Sequence, residues 1–433
     1  MGHIIYHIHT KGGKKTYTKA SSYRPLSMAS YIGKLLERIL DQRLRMFIQV
    51  EDELDEEQEG FIAGRSTTRY LFKLMANLTE IKRQRLACII LFVDFEKAYD
   101  SVHLPTLIVK LKRFGICGKF LKLLHSFLFK RKVCLKVNKI TGTSRYCSLY
   151  GLPQGSVIAP FLFILYISDM TDHIPKWLKK WLSCYKFADD GTLLITHHNM
   201  FKCYRLMQRL CNELSKWCAK NKMVINCDIN KTEAIILHTG NKTSNNLPPE
   251  LYIGEKTIKY VKSTKVLGLI IDEDLSFFYH AEQKLKDCTK KWGMLTKATN
   301  RNHGLNVHSL LLLLKTTVLT KLFYAGPIWL YKNQALFKDF WNGVIMKLTG
   351  ATLNPPRQVC ELALHLPPLN VQLDVLTVKF FCKLLSVKDG MAAALIQTDG
   401  SLRKELHSQL IALSFGRIME SSLGGFVTSN LLT

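Results

Sequence analysis

The sequence predicts an α+β fold in which a strand-bearing centre lies between helical flanks. Three observations predict it. Apolar residues recur at helical spacing over long stretches near both ends. The middle of the chain carries short apolar runs bounded by charge, which suit buried strands. After about residue 275 the pattern is helical again and strands are hard to find. A chain of 433 residues is long enough for two or three packed units.

Taken in order, His3, His7 and His9 alternate as one face of a strand would. Met28, Tyr31, Ile32, Leu35, Leu36, Ile39, Leu40 and Phe47 predict one amphipathic helix over residues ~27–50. The acidic run Glu51 to Glu59 reads as a solvated turn. Thr67 to Arg83 reads as a second helix, and Leu86 to Val93 as a buried strand that ends at Asp94. Pro105 opens a helix with the face Leu107, Ile108, Leu111 and Phe114, closed by Gly115. Ser156 to Met170 is apolar and helical. Tyr185 to Ile195 reads as a hairpin with Asp189 and Asp190 at its turn. Met207, Leu210, Cys211, Leu214, Trp217 and Cys218 form another helical stripe. Glu233 to Leu237 and Val266 to Ile271 read as strands, with a turn-rich connector, Asn241 to Glu250, between them. Asn354-Pro355-Pro356 and Leu366-Pro367-Pro368 punctuate the last part.

Composition narrows the function. Lys and Arg number 61 against 34 Asp and Glu, a formal charge of +27. A folded chain so charged repels itself unless a polyanion neutralises it, and nucleic acid is the commonest such partner. A merely soluble basic surface is the competing reading. Apolar residues at 47% exclude a disordered basic tail as the whole answer. The longest apolar run, Val157 to Ile167, is interrupted by Pro160 and falls short of the ~20 residues a spanning helix needs, so no membrane is expected. The twelve cysteines form no CxxC pair. Cys211, Cys218, Cys227 and His238 do not have zinc-site spacing. A reduced, intracellular protein is expected, and Met1 to Lys15 lacks the apolar core of a secretory signal.

Acidic side chains at the tips of neighbouring strands repel each other unless a cation lies between them. Asp94 at one strand end, with Asp189 and Asp190 in a tight turn, therefore suggests divalent ions and phosphoryl transfer on nucleic acid. On its own, an Asp-Asp turn is more often a solvated hairpin tip.

The surrounding residues are more specific. Phe92-Val93-Asp94-Phe95-Glu96-Lys97-Ala98-Tyr99-Asp100 resembles motif A of reverse transcriptases. Gly151-Leu152-Pro153-Gln154-Gly155-Ser156 with Pro160 resembles motif B, and Phe187-Ala188-Asp189-Asp190 motif C. Asn230-Lys231-Thr232-Glu233 is similar to motif D, and Val266-Leu267-Gly268 with Asp272 to motif E. Tyr23-Arg24-Pro25-Leu26-Ser27, Gln58-Glu59-Gly60-Phe61 and Gly64-Arg65-Ser66-Thr67 resemble fingers motifs of the non-LTR (LINE-type) retrotransposon branch. One short match would be noise, but these stand in family order over residues ~8–275.

The resemblance implies a right-hand polymerase: fingers over residues 1–90, a palm with an antiparallel sheet over 91–275, a thumb over 276–348 and a helical extension over 349–433. It implies RNA-directed DNA synthesis, in which the 3′-OH of a DNA primer, or of nicked target DNA, is extended on an RNA template with dNTPs. Two Mg²⁺ ions, with Mn²⁺ as a substitute, would be held by Asp94, Asp189, Asp190 and the Phe95 carbonyl. Tyr99 would stand under the sugar of the incoming nucleotide and exclude a 2′-OH, which disfavours an RNA-copying RNA polymerase. Gly151, Pro153, Gln154 and Gly155 would meet template and nucleotide, and Arg65 the triphosphate. Arg24 is a weaker candidate. Lys231 would be a general acid for pyrophosphate, or a charge near it. Leu267 and Gly268 would form the primer grip. Lys284, Lys286, Lys290 and Lys291 would face a duplex backbone, with Trp292 packed beneath. Nucleus and cytoplasm are the expected compartments.

Two positions depart from the family. Ile62 stands where Arg is usual, and Gly191 where a larger polar residue is common. The alternative function is therefore a degenerate element copy that only binds nucleic acid. No nuclease domain fits ahead of Tyr23, and no RNase H signature or Cys/His knuckle is visible, so the chain is expected to be the polymerase portion of a larger element, or a truncated copy.

Overall fold

The computed structural model describes residues 4–10, 23–50, 55–129, 131–137, 140–142, 145–146, 149–228, 231–238, 248–298, 305–351 and 355–386. The chain divides into two compact units. One comprises Met1–Tyr70 and Asn77–Thr264, the other Leu71–Ala76 and Lys265–Thr433.

In the first unit the order is β1 (Ile4–Thr10), β2 (Tyr23–Met28), α1 (Tyr31–Val50), α2 (Thr67–Arg83), β3 (Ala87–Val93), α3 (Ala98–Ser101), α4 (Leu104–Arg113) and α5 (Gly118–Phe129). Short strands β4 (Lys132–Val137), β5 (Ile140–Thr141) and β6 (Arg145–Tyr146) precede α6 (Ala159–Ile167) and α7 (Lys176–Lys179). Then come β7 (Leu182–Phe187), β8 (Asp190–His197), α8 (Met200–Asn221), β9 (Glu233–Leu237), β10 (Leu251–Ile253) and β11 (Lys256–Tyr260). A six-stranded sheet runs β10-β11-β9-β3-β8-β7. β3 is antiparallel to both β8 and β9, and all seven of its residues are buried. That explains its sequence: a strand covered on both faces reads as an unbroken apolar run, not an alternation. The predicted stripe on α8 is buried at every position named for it. A second sheet joins β1, β2, β4, β5 and β6.

The chain passes to the second unit within the hairpin of β12 (Ser263–Val266) and β13 (Leu269–Asp272). The second unit continues as α9 (Phe278–Ala298), α10 (Val307–Leu313), a π-helical stretch at Leu314–Leu319, α11 (Thr320–Leu322), α12 (Gly326–Asn333), α13 (Lys338–Thr349), α14 (Arg357–Ala363) and α15 (Leu369–Ser386). The helical character expected after residue 275 is present. Among the described residues no single helix is long and apolar enough to cross a bilayer. One bent pair, 307–322 with 326–349, passes by length and composition, but its Leu314, Val318, Leu322, Trp329 and Trp341 are buried in this unit.

Several expectations need correction. The first long helix begins at Tyr31, because Tyr23–Met28 is strand β2 paired with β1. Its buried line is Glu37, Leu40, Leu44 and Ile48, whereas Tyr31, Ile32, Leu35, Ile39 and Phe47 are exposed. The acidic run is not a solvated turn in its described part. Gln58 and Glu59 are buried, and Asp55 and Glu57 pair with the buried Lys186. Val266 to Ile271 is not one strand but two strand ends around a turn, with Leu267 at φ 45° and Gly268 at φ 89°. Of the four thumb lysines, Lys286 and Lys290 are exposed. Lys284 lies over the Tyr324 ring, and Lys291 donates to the Thr317 carbonyl. Trp292 is buried as expected. Met1 to His3, Asn230, most of the 241–250 connector and residues 387–433 lie outside the described residues.

Candidate active site

The site is built where β3, β7, β8 and the segment ahead of β9 end together. Val93 pairs with Gly191 across the β3–β8 ladder, so continuing the register by one residue sets Asp94 opposite Asp190. β7 ends at Phe187, and Ala188 and Asp189 alone make the reversal into β8. Two hydrophobic strands thus bring three carboxylates from distant parts of the sequence to one rim of the sheet.

Asp94 is held from the segment before β9. Its N–H donates to Thr232 Oγ1 at 3.2 Å, and its carboxylate Oδ2 accepts from Asn226 Nδ2 at 3.3 Å. Lys231 Nζ stands 3.5 Å from the same oxygen. Asn226 N–H donates to Asp94 O at 2.8 Å and Glu96 N–H to Val224 O at 2.9 Å, bonds that flank Phe95. The Phe95 ring is buried and tilted against Trp217 at 6.1 Å.

Electrostatics mark the cluster as anionic. Burial pushes the Asp190 carboxyl up to about 6, the charges of Asp189 and Asp94 add to the rise, and Lys231 opposes it. Like charges gathered at one rim raise each other's proton affinity, and a bound cation removes that penalty. The donor set is all oxygen, which suits a hard divalent ion such as Mg²⁺ or Mn²⁺.

Tyr99 lies in α3, its ring stacked on Phe163 at 4.9 Å and 18°. Burial, and then the Asp189 charge, push its hydroxyl well above the ordinary range, so it stays a neutral phenol. The Gly151–Gly155 loop packs beside α3. Leu152 N–H donates to Tyr99 O at 2.8 Å, Gly151 N–H to Val102 O at 2.9 Å, and Gln154 Nε2 to Asp100 Oδ1 at 3.0 Å. The buried Arg131 donates to Gly151 O at 2.8 Å. Pro153 O accepts the Ser156 N–H, and Gln154 O the Ser27 N–H at 2.6 Å. Gly155, at φ 100°, lies so close to β2 that a Cβ would stand 3.0 Å from Ser27 O.

Arg65 is held by its own loop. Its guanidinium NH1 donates to the carbonyls of Asp55, at 2.7 Å, and Gln58. It braces a loop. Ile62 is buried in the main core, and Arg45 reaches that loop instead, donating to Phe61 O at 2.6 Å with its guanidinium 4.2 Å over Phe161. Gly191 faces Val93 across the ladder, where a Cβ would meet only the Val93 Cβ at 3.7 Å. Leu267 and Gly268 belong to the second unit's side of the hairpin turn. Tyr324 donates its hydroxyl to Leu267 O, and its ring lies 3.3 Å from where a Gly268 Cβ would be.

Sequence reasoning did not single out Glu37, Gln58, Asn226 or Thr232. Gln58 opens the quoted Gln58–Phe61 motif and Thr232 sits within the quoted Asn230–Glu233 motif, but neither resemblance assigns them a role. All four bond to residues more than a hundred positions away in the chain.

A family model described as reverse transcriptase (RNA-dependent DNA polymerase) matches residues 11–271. The chain is 26% identical over 334 residues to the probable RNA-directed DNA polymerase from transposon BS of Drosophila melanogaster, covering 76% of this chain and 35% of that protein. It is 28% identical over 278 residues to the corresponding protein from transposon X-element of the same species, covering 64% and 29%. The chain thus spans about a third of the length of these relatives. A solved structure of apo telomerase from Candida tropicalis is similar over 80% of this chain and 60% of that one, at a TM-score of 0.42 and 12% identity. With the family model matching well over half of its length, the chain belongs to the reverse transcriptase (RNA-dependent DNA polymerase) family.

Proposed function

We propose that this chain extends the 3′-OH of a DNA primer on an RNA template with dNTPs, as the polymerase part of a non-LTR retrotransposon protein. The observation that carries the reading is the gathering of Asp94, Asp189 and Asp190 at one rim of the six-stranded sheet, with Lys231 beside Asp94. In this reading the fingers, palm, thumb and extension follow the boundaries 1–90, 91–275, 276–348 and 349–433.

The three carboxylates, with the Phe95 carbonyl, would hold two Mg²⁺ ions. When bound, such ions stabilise charge on the phosphoryl oxygens and lower the proton affinity of the attacking hydroxyl. The chain's own residues do the rest. Asn226 and Thr232 fix the orientation of Asp94 through its side chain and its amide. Lys231, with Nζ 3.5 Å from Asp94 Oδ2, would serve as a general acid for the leaving pyrophosphate, or as a charge near it. Tyr99 is kept flat by Phe163, and a fixed ring discriminates by size against a 2′-OH. Gln154 donates to Asp100 in the free chain and would turn from it to a template–nucleotide pair. Arg65 braces the 55–58 loop through NH1 and would meet the triphosphate with the rest of its guanidinium fork. The charge of +27 supplies the sequence-independent hold on RNA and DNA.

The test is primer extension on poly(rA)/oligo(dT) with dTTP and Mg²⁺, wild type beside Asp189→Asn. Extension by the wild type alone supports the reading. No extension by either, from folded protein that binds the duplex, would leave a nucleic-acid-binding relic.

A further inference from the structure

We infer that Gln58 is a positioning residue whose buried side-chain amide sets the turn presenting Asp189 and Asp190. The inference rests on the proposed catalytic reading of those two residues. Ala188 makes half of the two-residue reversal at φ 54°, in the left-handed region that residues with a side chain avoid. Such a turn keeps its shape only if its backbone groups are held from outside.

Gln58 holds them. Its Oε1 accepts the Ala188 N–H at 2.8 Å and the Gly60 N–H at 2.9 Å, and its Nε2 faces the Ala188 carbonyl at 3.5 Å. Gln58 is 1% exposed, so water cannot replace these bonds. The loop meets the turn backbone to backbone: a Cβ on Gly60 would stand 2.5 Å from Ala188 N, which only glycine avoids.

The same loop grips the strand leading into the turn. Lys186 N–H donates to Glu57 O at 2.9 Å, and Glu59 N–H to Lys186 O at 2.8 Å. The Lys186 ammonium reaches Asp55 at 2.9 Å and Glu57 at 3.3 Å. On the other strand, Tyr70 donates to Thr192 Oγ1 at 2.6 Å. These contacts fix β7 and β8, and Gln58 completes the clamp at the turn itself. A metal-binding carboxylate must be held within ~0.5 Å of its working position, and loss of an outer support commonly costs about 10–100-fold.

The test compares Gln58→Met, near in volume but without an acceptor, with Gln58→Glu, which keeps an acceptor oxygen. Hydrogen–deuterium exchange of the full chain reads the turn directly. Gln58→Met should speed exchange of the Ala188 amide about tenfold or more while leaving β3 unchanged, and Gln58→Glu should stay near wild type. In primer extension, Gln58→Met should lower kcat per active site about 10–100-fold with the KM for dTTP nearly unchanged, and Gln58→Glu should recover most of it. Unchanged turn exchange and kcat in Gln58→Met would overturn the proposal. If Gln58→Met unfolds, β3 exchange rises too and Gln58→Glu decides: faster exchange confined to the turn would overturn the acceptor role. If the wild type extends no primer, the catalytic reading fails, while the exchange measurement still decides whether Gln58 holds the turn.

Discussion

The carboxylate of Glu37 accepts the Ser156 hydroxyl at 2.8 Å and, at the same oxygen, the Val157 N–H at 2.7 Å. The pair ties α1 to the approach of α6, directly after Gln154 and Gly155. Glu37 is buried, so donors that lose its carboxylate find no water to replace it. Glu37→Leu leaves both donors unpartnered and should cost about 2 kcal/mol, whereas Glu37→Gln keeps an acceptor and should cost less than half of that. Urea unfolding checks this; equal costs for the two variants would show that volume, not the acceptor, matters.

Tyr99 owes its fixed position to the stack on Phe163, while its backbone carbonyl separately holds Leu152. Removing the ring therefore spares the loop contact. Tyr99→Ala should raise rNTP use relative to dNTP about tenfold or more, read as a ratio of kcat/KM values. An unchanged ratio would remove Tyr99 from sugar selection.

Asp190 carries a stability consequence opposite to its chemical one. Its carboxyl is raised to about 6 in the folded chain, from an ordinary 3.8, by burial and by Asp189 and Asp94. The folded state then binds the extra proton between those values, so its stability falls as pH rises from 3.8 through 6. At pH 7 without metal, Asp190→Asn should raise Tm while abolishing extension, a trade expected of strained sites. Mg²⁺ should narrow the Tm difference. A lower Tm for Asp190→Asn in chelator would contradict the assigned repulsion.

His280 gives the second unit an acid sensitivity. Its Nδ1 accepts the Ile270 N–H at 3.2 Å, and its ring lies edge-on to Trp329 at 4.8 Å. Burial, then Lys284 and Lys265, pull it down to about 3. The unfolded chain takes up a proton near pH 6.5 that the folded chain refuses, so stability is complete above 6.5 and declines as pH falls towards 3. About 1 kcal/mol should be gone by pH 5.5. Melting curves of wild type and His280→Gln between pH 7 and 5 should diverge; parallel losses would rule His280 out as the cause.

Much of the site was readable because its carriers are short apolar runs punctuated by charge. β3 is buried on both faces, so Leu86–Val93 stands out and Asp94 ends it. The β7–β8 hairpin was visible from its short apolar runs, and α8 from the helical period of its buried stripe. What was hidden depends on distant partners. In α1 the helical period was clear but not its buried face, because Glu37 joins the inner line only through Ser156, 119 residues on. Gln58 and Ala188 are 130 residues apart, so an acidic run that looks solvated ends in buried residues. The break at Leu267–Gly268 was masked by apolar neighbours, since a leucine at φ 45° leaves no local signature. β10 and β11 are too short for periodicity to register.

Asp94 and Asp190 face each other across the β3–β8 register, and we propose that they work with Asp189 as one ion-holding site. The most direct measurement is single-turnover addition of one dNTP to a DNA primer on an RNA template, wild type beside Asp94→Asn, with Mn²⁺ binding followed by electron paramagnetic resonance on the same samples. Wild-type addition, with a loss of about a thousandfold or more and weakened Mn²⁺ binding in Asp94→Asn, is the predicted result. Equal addition rates and equal Mn²⁺ binding in the two proteins would contradict it.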